Sequence, residues 1–158
     1  MTVDGRTLRR VLRSHAAGVA VLAAPGPVGV TVTSFTSLSA DPPLVSFALA
    51  ETSSTWGRVA DAEWFGIQVL AADQVAVAER FAAKGVDRFA PPTSWRPGPH
   101  GVPLLDGCLA WLVCSRHGVF RLGDHHLVVG AVEHAEAGES GDGLVHVHGT
   151  VRPSHARI

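Results

Sequence analysis

The chain has no tyrosine, one methionine and two cysteines in 158 residues. Cys108 and Cys114 cannot build a disulfide framework, and no C-x-x-C pair activates either thiol. There is no excess of positive charge: 13 lysines and arginines face 14 acidic residues. That balance excludes the electrostatic grip of a nucleic-acid binder, and no basic block marks a membrane surface. No apolar run reaches the ~18 residues of a membrane span. Residues 1–13 carry charge at helical spacing, not the charged-then-apolar order of a secretory leader, so a cytoplasmic location is expected. No G-x-G-x-x-G follows a strand and no P-loop occurs, so any nucleotide is held by other means. G-x-S-x-G is also missing, which argues against a serine hydrolase. With tyrosine absent and nine histidines present, imidazole is the main group titrating near neutral pH.

What remains is a chain that can fold. Its apolar fraction is 46% and its charged fraction 17%, which suits one domain over residues 1–158. Leu8, Val11, Leu12 and His15 fall at helical spacing over 7–15. Residues 18–24 form a valine-rich apolar run, read as a buried strand. Pro25-Gly26-Pro27 breaks it, and 28–35 resumes as a strand with Val28, Val30 and Val32 on one face. Asp41-Pro42-Pro43 is a second break. Further strands are expected at 44–49, 64–70, 109–115, 127–132 and 144–151, with a short strand at 119–122. Helices are expected at 56–62 and from an Asp73 cap to about Lys84. Residues 91–103 read as an exposed loop and 136–143 as a polar turn. The helices do not alternate regularly with the strands, so a doubly wound parallel sheet is disfavoured. The expected class is mainly β, an antiparallel barrel with a few short helices.

Several clusters carry chemistry. Six of the nine residues from Thr31 to Ser39 bear hydroxyls. A strand end that turns there exposes amides and hydroxyls, the groups an anionic ligand needs. Thr52, Ser53, Ser54 and Thr55 precede a helix start, a second anion site in kind, with Arg58 one turn later. Either cluster alone reads equally well as a turn or a cap; together they favour a phosphate ligand. Arg88 can meet a phosphate, and Phe81 or Phe89 can pack on a flat ring. Gly123-Asp124 signals a turn that puts His125 at a strand mouth, where Asp124 can fix the imidazole. His146 and His148, two apart on one expected strand, would share a face and could chelate a metal with His125, His126, Cys108 or Cys114. No C-x-x-C or H-E-x-x-H supports that, and no metal is expected.

The ordered set of these pieces resembles the flavin reductase family, which has an FMN-binding split barrel. It comprises Gly18-Val19-Ala20-Val21, the run from Gly29 through Ser39, Pro42-Pro43-Leu44-Val45, and Phe65 to Leu70. Arg80-Phe81-Ala82, Asp87-Arg88-Phe89 and Gly123-Asp124-His125 complete it. The resemblance covers about Leu8 to Val151. It implies an antiparallel split β-barrel and a homodimer with flavin, FMN or FAD, in a groove between subunits. It also implies NADH or NADPH as hydride donor to flavin N5, and a partner monooxygenase that receives the reduced flavin. Flavin contacts are implied for Thr31, Val32, Thr33, Ser34, Ser37, Leu38 and Ser39. The phosphate end is implied for Thr52, Ser53, Ser54 and Thr55. Phe81, Arg88 and Phe89 would line the groove, His125 would lie near the nicotinamide, and His148 falls in the last-strand segment on that side. The last strand, Val147-His148-Gly149-Thr150-Val151, lacks the family's aromatic and basic residues. Glu51 beside the phosphate end would have to point away. The alternative is a flavin-binding split barrel without reductase activity, either a carrier or a redox enzyme acting on a biosynthetic intermediate.

Overall fold

Short apolar runs separated by proline and glycine give many strands and few helices, and a computed structural model describes residues 2–155 in that form. Helix α1 (Gly5–Val11) passes through a single 3-10 turn, Leu12–Ser14, into β1 (Ala17–Gly18). Then come β2 (Ala20–Ala24), β3 (Val28–Val32), β4 (Thr36–Ala40), β5 (Pro43–Ala50), α2 (Trp56–Ala60), β6 (Trp64–Val69) and α3 (Val75–Ala82). The second half holds β7 (Trp95–Pro97), β8 (Pro103–Leu105), β9 (Ala110–Leu122), β10 (His125–Ala137), β11 (Leu144–Val147) and β12 (Thr150–Pro153).

Seven strands form one antiparallel sheet in the order β3-β2-β6-β9-β10-β5-β4. β3 and β4 are neighbours in sequence but occupy opposite edges. Laid flat, six inter-strand gaps would separate them by about 29 Å. The link from Val32 to Thr36 can reach no more than about 14 Å. The sheet therefore has to curl until its edges approach, and because β3 and β4 do not pair, it stays open along that seam. This is the expected split barrel.

Side-chain alternation sorts the core into two layers. Ala20, Leu22 and Ala24 of β2 join Phe47, Phe65, Ile67 and Val128 in one cluster. Val21, on the other face, joins Leu70, Phe81, Val102, Leu105 and Trp111 under α3 and β8. Gln68 is fully buried, yet its amide is used: Nε2 donates to the Pro103 carbonyl at 2.8 Å, and Oε1 accepts from the Leu105 amide. That pair ties β8 to the sheet and offsets the desolvation of a buried amide.

Several expectations need correction, among them residues 91–103, read as an exposed loop, where β7 pairs β8 and Val102 is fully buried. The segment 36–40, read as a turn, is an edge strand, because its hydroxyl residues pair with β5. The expected strands 109–115 and 119–122 fall on one continuous strand, β9 (Ala110–Leu122), which stays paired to β10 on both sides of a register shift at His117. Asp73 does not cap α3: the N-cap is Gln74, whose side chain instead accepts from the Ala71 amide at 2.9 Å. The run 144–151 is a hairpin, β11 and β12, turned at His148 (φ 52°) and Gly149 (φ 76°). Positive φ at both turn positions is the signature of a tight I′-like turn. His146 and His148 consequently do not share a strand face.

Candidate functional site

Three segments converge where β3 begins, α2 begins and α3 ends. They enclose a cavity of about 250 Å³ lined by Gly29, Ser54, Thr55, Arg58, Asp87 and Arg88 among others. Arg88 organises it. Its Nη1 donates to the Gly29 carbonyl at 2.7 Å and to Thr55 Oγ1 at 3.3 Å, and its Nε and Nη2 donate to the Ala83 carbonyl at 3.2 and 2.7 Å. Among the described residues no carboxylate pairs with it. Burial pushes its guanidinium below the usual value, yet arginine stays charged at any ordinary pH. An uncompensated, half-buried cation is a standing demand for an anion.

The rest of the cavity suits that demand. Thr55 is buried, and Ser53 Oγ accepts from the Thr55 amide at 3.3 Å. Ser54 lines the wall with its hydroxyl uncommitted among the described residues. Arg58 lies against Gly26, where a Cβ would meet its guanidinium, and it has no carboxylate partner among the described residues. Gly29 admits no side chain, because a Cβ would stand 2.8 Å from Phe81 Cε1. Asp87, the acidic neighbour, is turned to its own loop: Oδ1 accepts from the amides of Phe89 and Ala90 at 3.2 Å each. Glu51 is likewise turned away, paired to Arg121 Nη2 at 3.0 Å.

The seam itself is the second part. The β3 ladder ends at the Ala20–Val32 pair. Beyond it the amides of Thr33, Ser34 and Phe35 donate to no other described residue. Ser34 is held in place, its Oγ donating to the Ala48 carbonyl and accepting from the Ala48 amide, both at 2.9 Å. Thr31 and Thr33 line a cavity of about 420 Å³ with Glu79, His146 and Thr150. Thr31 spends its hydroxyl on the Ala78 carbonyl at 2.6 Å, which pins α3 to β3.

His125 starts β10 opposite Ala50, two residues before Thr52. Its Nδ1 lies 2.7 Å from Asp124 Oδ1, and its side chain is 48% exposed. The His125 hydrogen bond first, and more weakly the charge of Arg9, hold the Asp124 carboxyl below the ordinary carboxylate range. Next to it, His126 stacks on Trp56 at 4.0 Å, which fastens the start of α2 to β10.

The structure thus gathers Ser54, Thr55, Arg88 and Phe89 around one cavity and Thr31 and Thr33 around the other. Other expected residues fall outside them. Phe81 is fully buried, packed edge-on to Phe89 at 5.1 Å, so its ring supports the wall and does not line it. Val32 is also buried and offers a ligand its backbone alone. Ser37, Leu38 and Ser39 lie on the outer edge strand β4. His148 sits in the hairpin turn, with its amide donating to the Arg13 carbonyl at 2.7 Å. Sequence reasoning missed Gly29, Glu79 and Thr150 as lining residues, and no local pattern marks them, since β3, α3 and β12 meet only in three dimensions. Both thiols are buried, which pushes Cys108 and Cys114 up to about 12; neither can serve as a thiolate. No group of three or more His, Cys, Asp or Glu gathers among the described residues to hold a metal. No described helix is long and apolar enough to cross a membrane.

Comparison with known proteins gives this geometry a family. The family model described as "Flavin reductase like domain" matches residues 12–155. An NADH:FMN oxidoreductase of Rhodococcus erythropolis is 42% identical over 134 residues, covering 83% of this chain and 70% of its own. The reductase subunit HsaB of a flavin-dependent monooxygenase of Mycobacterium tuberculosis is 38% identical over 134 residues, covering 83% and 71%. Among solved structures, the NADH:FAD oxidoreductase SgcE6 of Streptomyces globisporus, in complex with NAD and FAD fragments, superposes with TM-score 0.89 at 34% identity, covering 96% of this chain and 95% of that one. With an open antiparallel barrel, a cationic hydroxyl-lined cavity at the start of its edge strand β3 and a family match over nearly its whole length, the chain belongs to the flavin reductase-like family.

Proposed function

We propose that this chain, acting as a single domain over 1–158, is an NAD(P)H-dependent flavin reductase that supplies reduced FMN or FAD to a partner monooxygenase. The observation that carries the reading is Arg88, a half-buried guanidinium with no carboxylate partner among the described residues, facing a cavity with Ser54 and Arg58. The residues fit a flavin on that observation, together with the free amides at 33–35. When bound, the two cofactors supply the redox chemistry themselves, a hydride passing from nicotinamide C4 to flavin N5.

The protein's share is positioning. Ser53, Ser54 and Arg58 would hold the phosphate end, with Arg88 keeping Gly29, Thr55 and the loop at Ala83 in register. The amides of Thr33 and Ser34 would face the ring and meet negative charge that grows on it during reduction. Asp124 orients His125 through Nδ1, which would leave Nε2 for a bound nicotinamide. No general base is needed, which fits the lack of a hydrolytic triad. A cytoplasmic location and a homodimer belong to the same reading. In support of the dimer, Leu38, Phe120 and Leu122 are 52%, 53% and 59% exposed, apolar surface that a second copy would cover. The partner monooxygenase is supported by the name of the Mycobacterium relative.

The test is direct. Purified protein with NADH or NADPH and catalytic FMN should consume the dinucleotide, followed at about 340 nm, a property of the cofactor. Flavin binding without oxidation of either dinucleotide would support the alternative of a flavin carrier.

A further inference from the structure

Helix α2 is only five residues long, and its N-cap, Thr55, makes no side-chain cap bond. So short a helix does not hold its own start; its neighbours must. The segment that leads into it, 51–56, is tied to β10 at both ends. At the first end the Glu51 amide donates to the Asp124 carbonyl at 2.9 Å, just beyond the Ala50–His125 pair of the ladder. At the other end the Trp56 ring lies on His126, with 4.0 Å between centroids and 15° between planes. Ser54 and Thr55, which line the Arg88 cavity, sit between the two ties.

Packing alone does not account for an imidazole at 126. Its partner on β5 is Leu49, and Val128, two residues on, shares its face; both are buried in the inner core. Its partner on β9 is Arg121, whose guanidinium is turned to Glu51. The His126 Nδ1 is buried and has no hydrogen-bond partner among the described residues. A bare nitrogen there costs free energy that an aliphatic side chain would not. What an aliphatic side chain lacks is a flat face to lay against Trp56.

We propose that His126 is a positioning residue for the phosphate end of the flavin. Through the stack it fixes the start of α2. With it come Ser54 and the Thr55 hydroxyl, which accepts from Arg88 Nη1 at 3.3 Å. His126 acts by its ring face alone and exchanges no proton with the ligand. It is also the strand neighbour of His125, so one short piece of β10 sets both the cavity and the rim. The identity of the ligand rests on the reductase reading.

Paired titrations of the full chain with FMN and riboflavin test this without turnover, since the two ligands differ by the phosphate alone. His126→Leu and Trp56→Leu should each weaken FMN binding about fivefold and riboflavin binding less than about twofold. Retained riboflavin binding also shows that the variants fold. The double variant should bind FMN no more weakly than either single one, because the same stack is lost only once. Trp56→Phe, which keeps a ring on the imidazole, should bind FMN as the wild type does. Additive losses in the double variant, equal losses for FMN and riboflavin, or no rescue by Trp56→Phe would each overturn the role given to His126. Thermal melts in inorganic phosphate, against chloride at equal ionic strength, separate this from the reductase reading. Should the wild type bind no flavin, the reductase reading falls. A phosphate-induced rise in melting temperature that is lost in Trp56→Leu and His126→Leu would then leave His126 positioning an anion site, and the absence of that rise would sink both.

Discussion

The Arg88 cavity and the His125 rim lie at neighbouring ends of the same sheet but are built in opposite ways. Arg88 is bonded to three separate segments, through Gly29, Thr55 and Ala83. His125 is exposed and is held by one neighbour in sequence, Asp124. The first arrangement is expensive to disturb and fixes where a ligand sits. The second can turn without cost to the fold, which suits a group that meets a donor that comes and goes. Affinity for the flavin should therefore reside in the cavity, and turnover with the dinucleotide at the rim.

The sharpest way to break that division is Arg88→Met. It leaves the Gly29 and Ala83 carbonyls without their donor and removes the cation. Charge-assisted hydrogen bonds are worth roughly 1.5–3 kcal/mol each, so FMN affinity should fall by about two orders of magnitude and the melting temperature should drop; fluorescence titration and a thermal melt read both. Gly29→Ala comes next. Its new Cβ would press on Phe81 and Phe89, and overpacking costs about 1–3 kcal/mol; chemical denaturation should find that loss along with weaker FMN binding.

His125→Ala should do the reverse of Arg88→Met. NADH turnover falls about tenfold, equivalent to roughly 1.4 kcal/mol, while the FMN dissociation constant stays within about twofold. Equal losses in both would erase the distinction between cavity and rim. A smaller effect concerns pH. The folded Asp124 carboxyl lies below its unfolded value, so its stabilising contribution is full above about pH 4 and fades as pH falls through the lowered folded value. Asp124→Asn should thus narrow the stability difference from wild type as the solution is acidified below about pH 4. The smallest expected effect is none at all: a thiol reagent at pH 8 should leave Cys108 and Cys114 unlabelled in the native protein and label both in denaturant, because burial pushes each to about 12.

Much of this arrangement was legible in the residues. Valine-rich runs between proline breaks marked β2, β3 and β5, and the hydroxyl cluster at 52–55 falls beside the Arg88 cavity, which Ser54 and Thr55 line. What stayed hidden follows from what a single strand of text lacks. The edge strand β4 looks like a polar turn because it has no apolar alternation; only pairing with β5 makes it a strand. Phe81 reads as a groove residue because an aromatic suits a flat ligand and the family resemblance puts it there, yet its place on the inner face of α3 buries it. His148 was read as strand because positive φ at a non-glycine residue leaves no reliable mark in composition. The amide donors at 33–35 are backbone groups, and side-chain identity says little about them. Arg88 was found as a charge, but its role as a tie between three segments depends on carbonyls that no motif specifies.

The unstitched side of the barrel has a consequence for how a flat cofactor enters. A fully closed cylinder would have to surrender several inter-strand bonds to let a planar ring in, and would reform them when it left. Here β3 and β4 do not pair among the described residues, so on the proposed reading a planar guest would enter by a doorway already cut, and every rung of the ladder would stay intact.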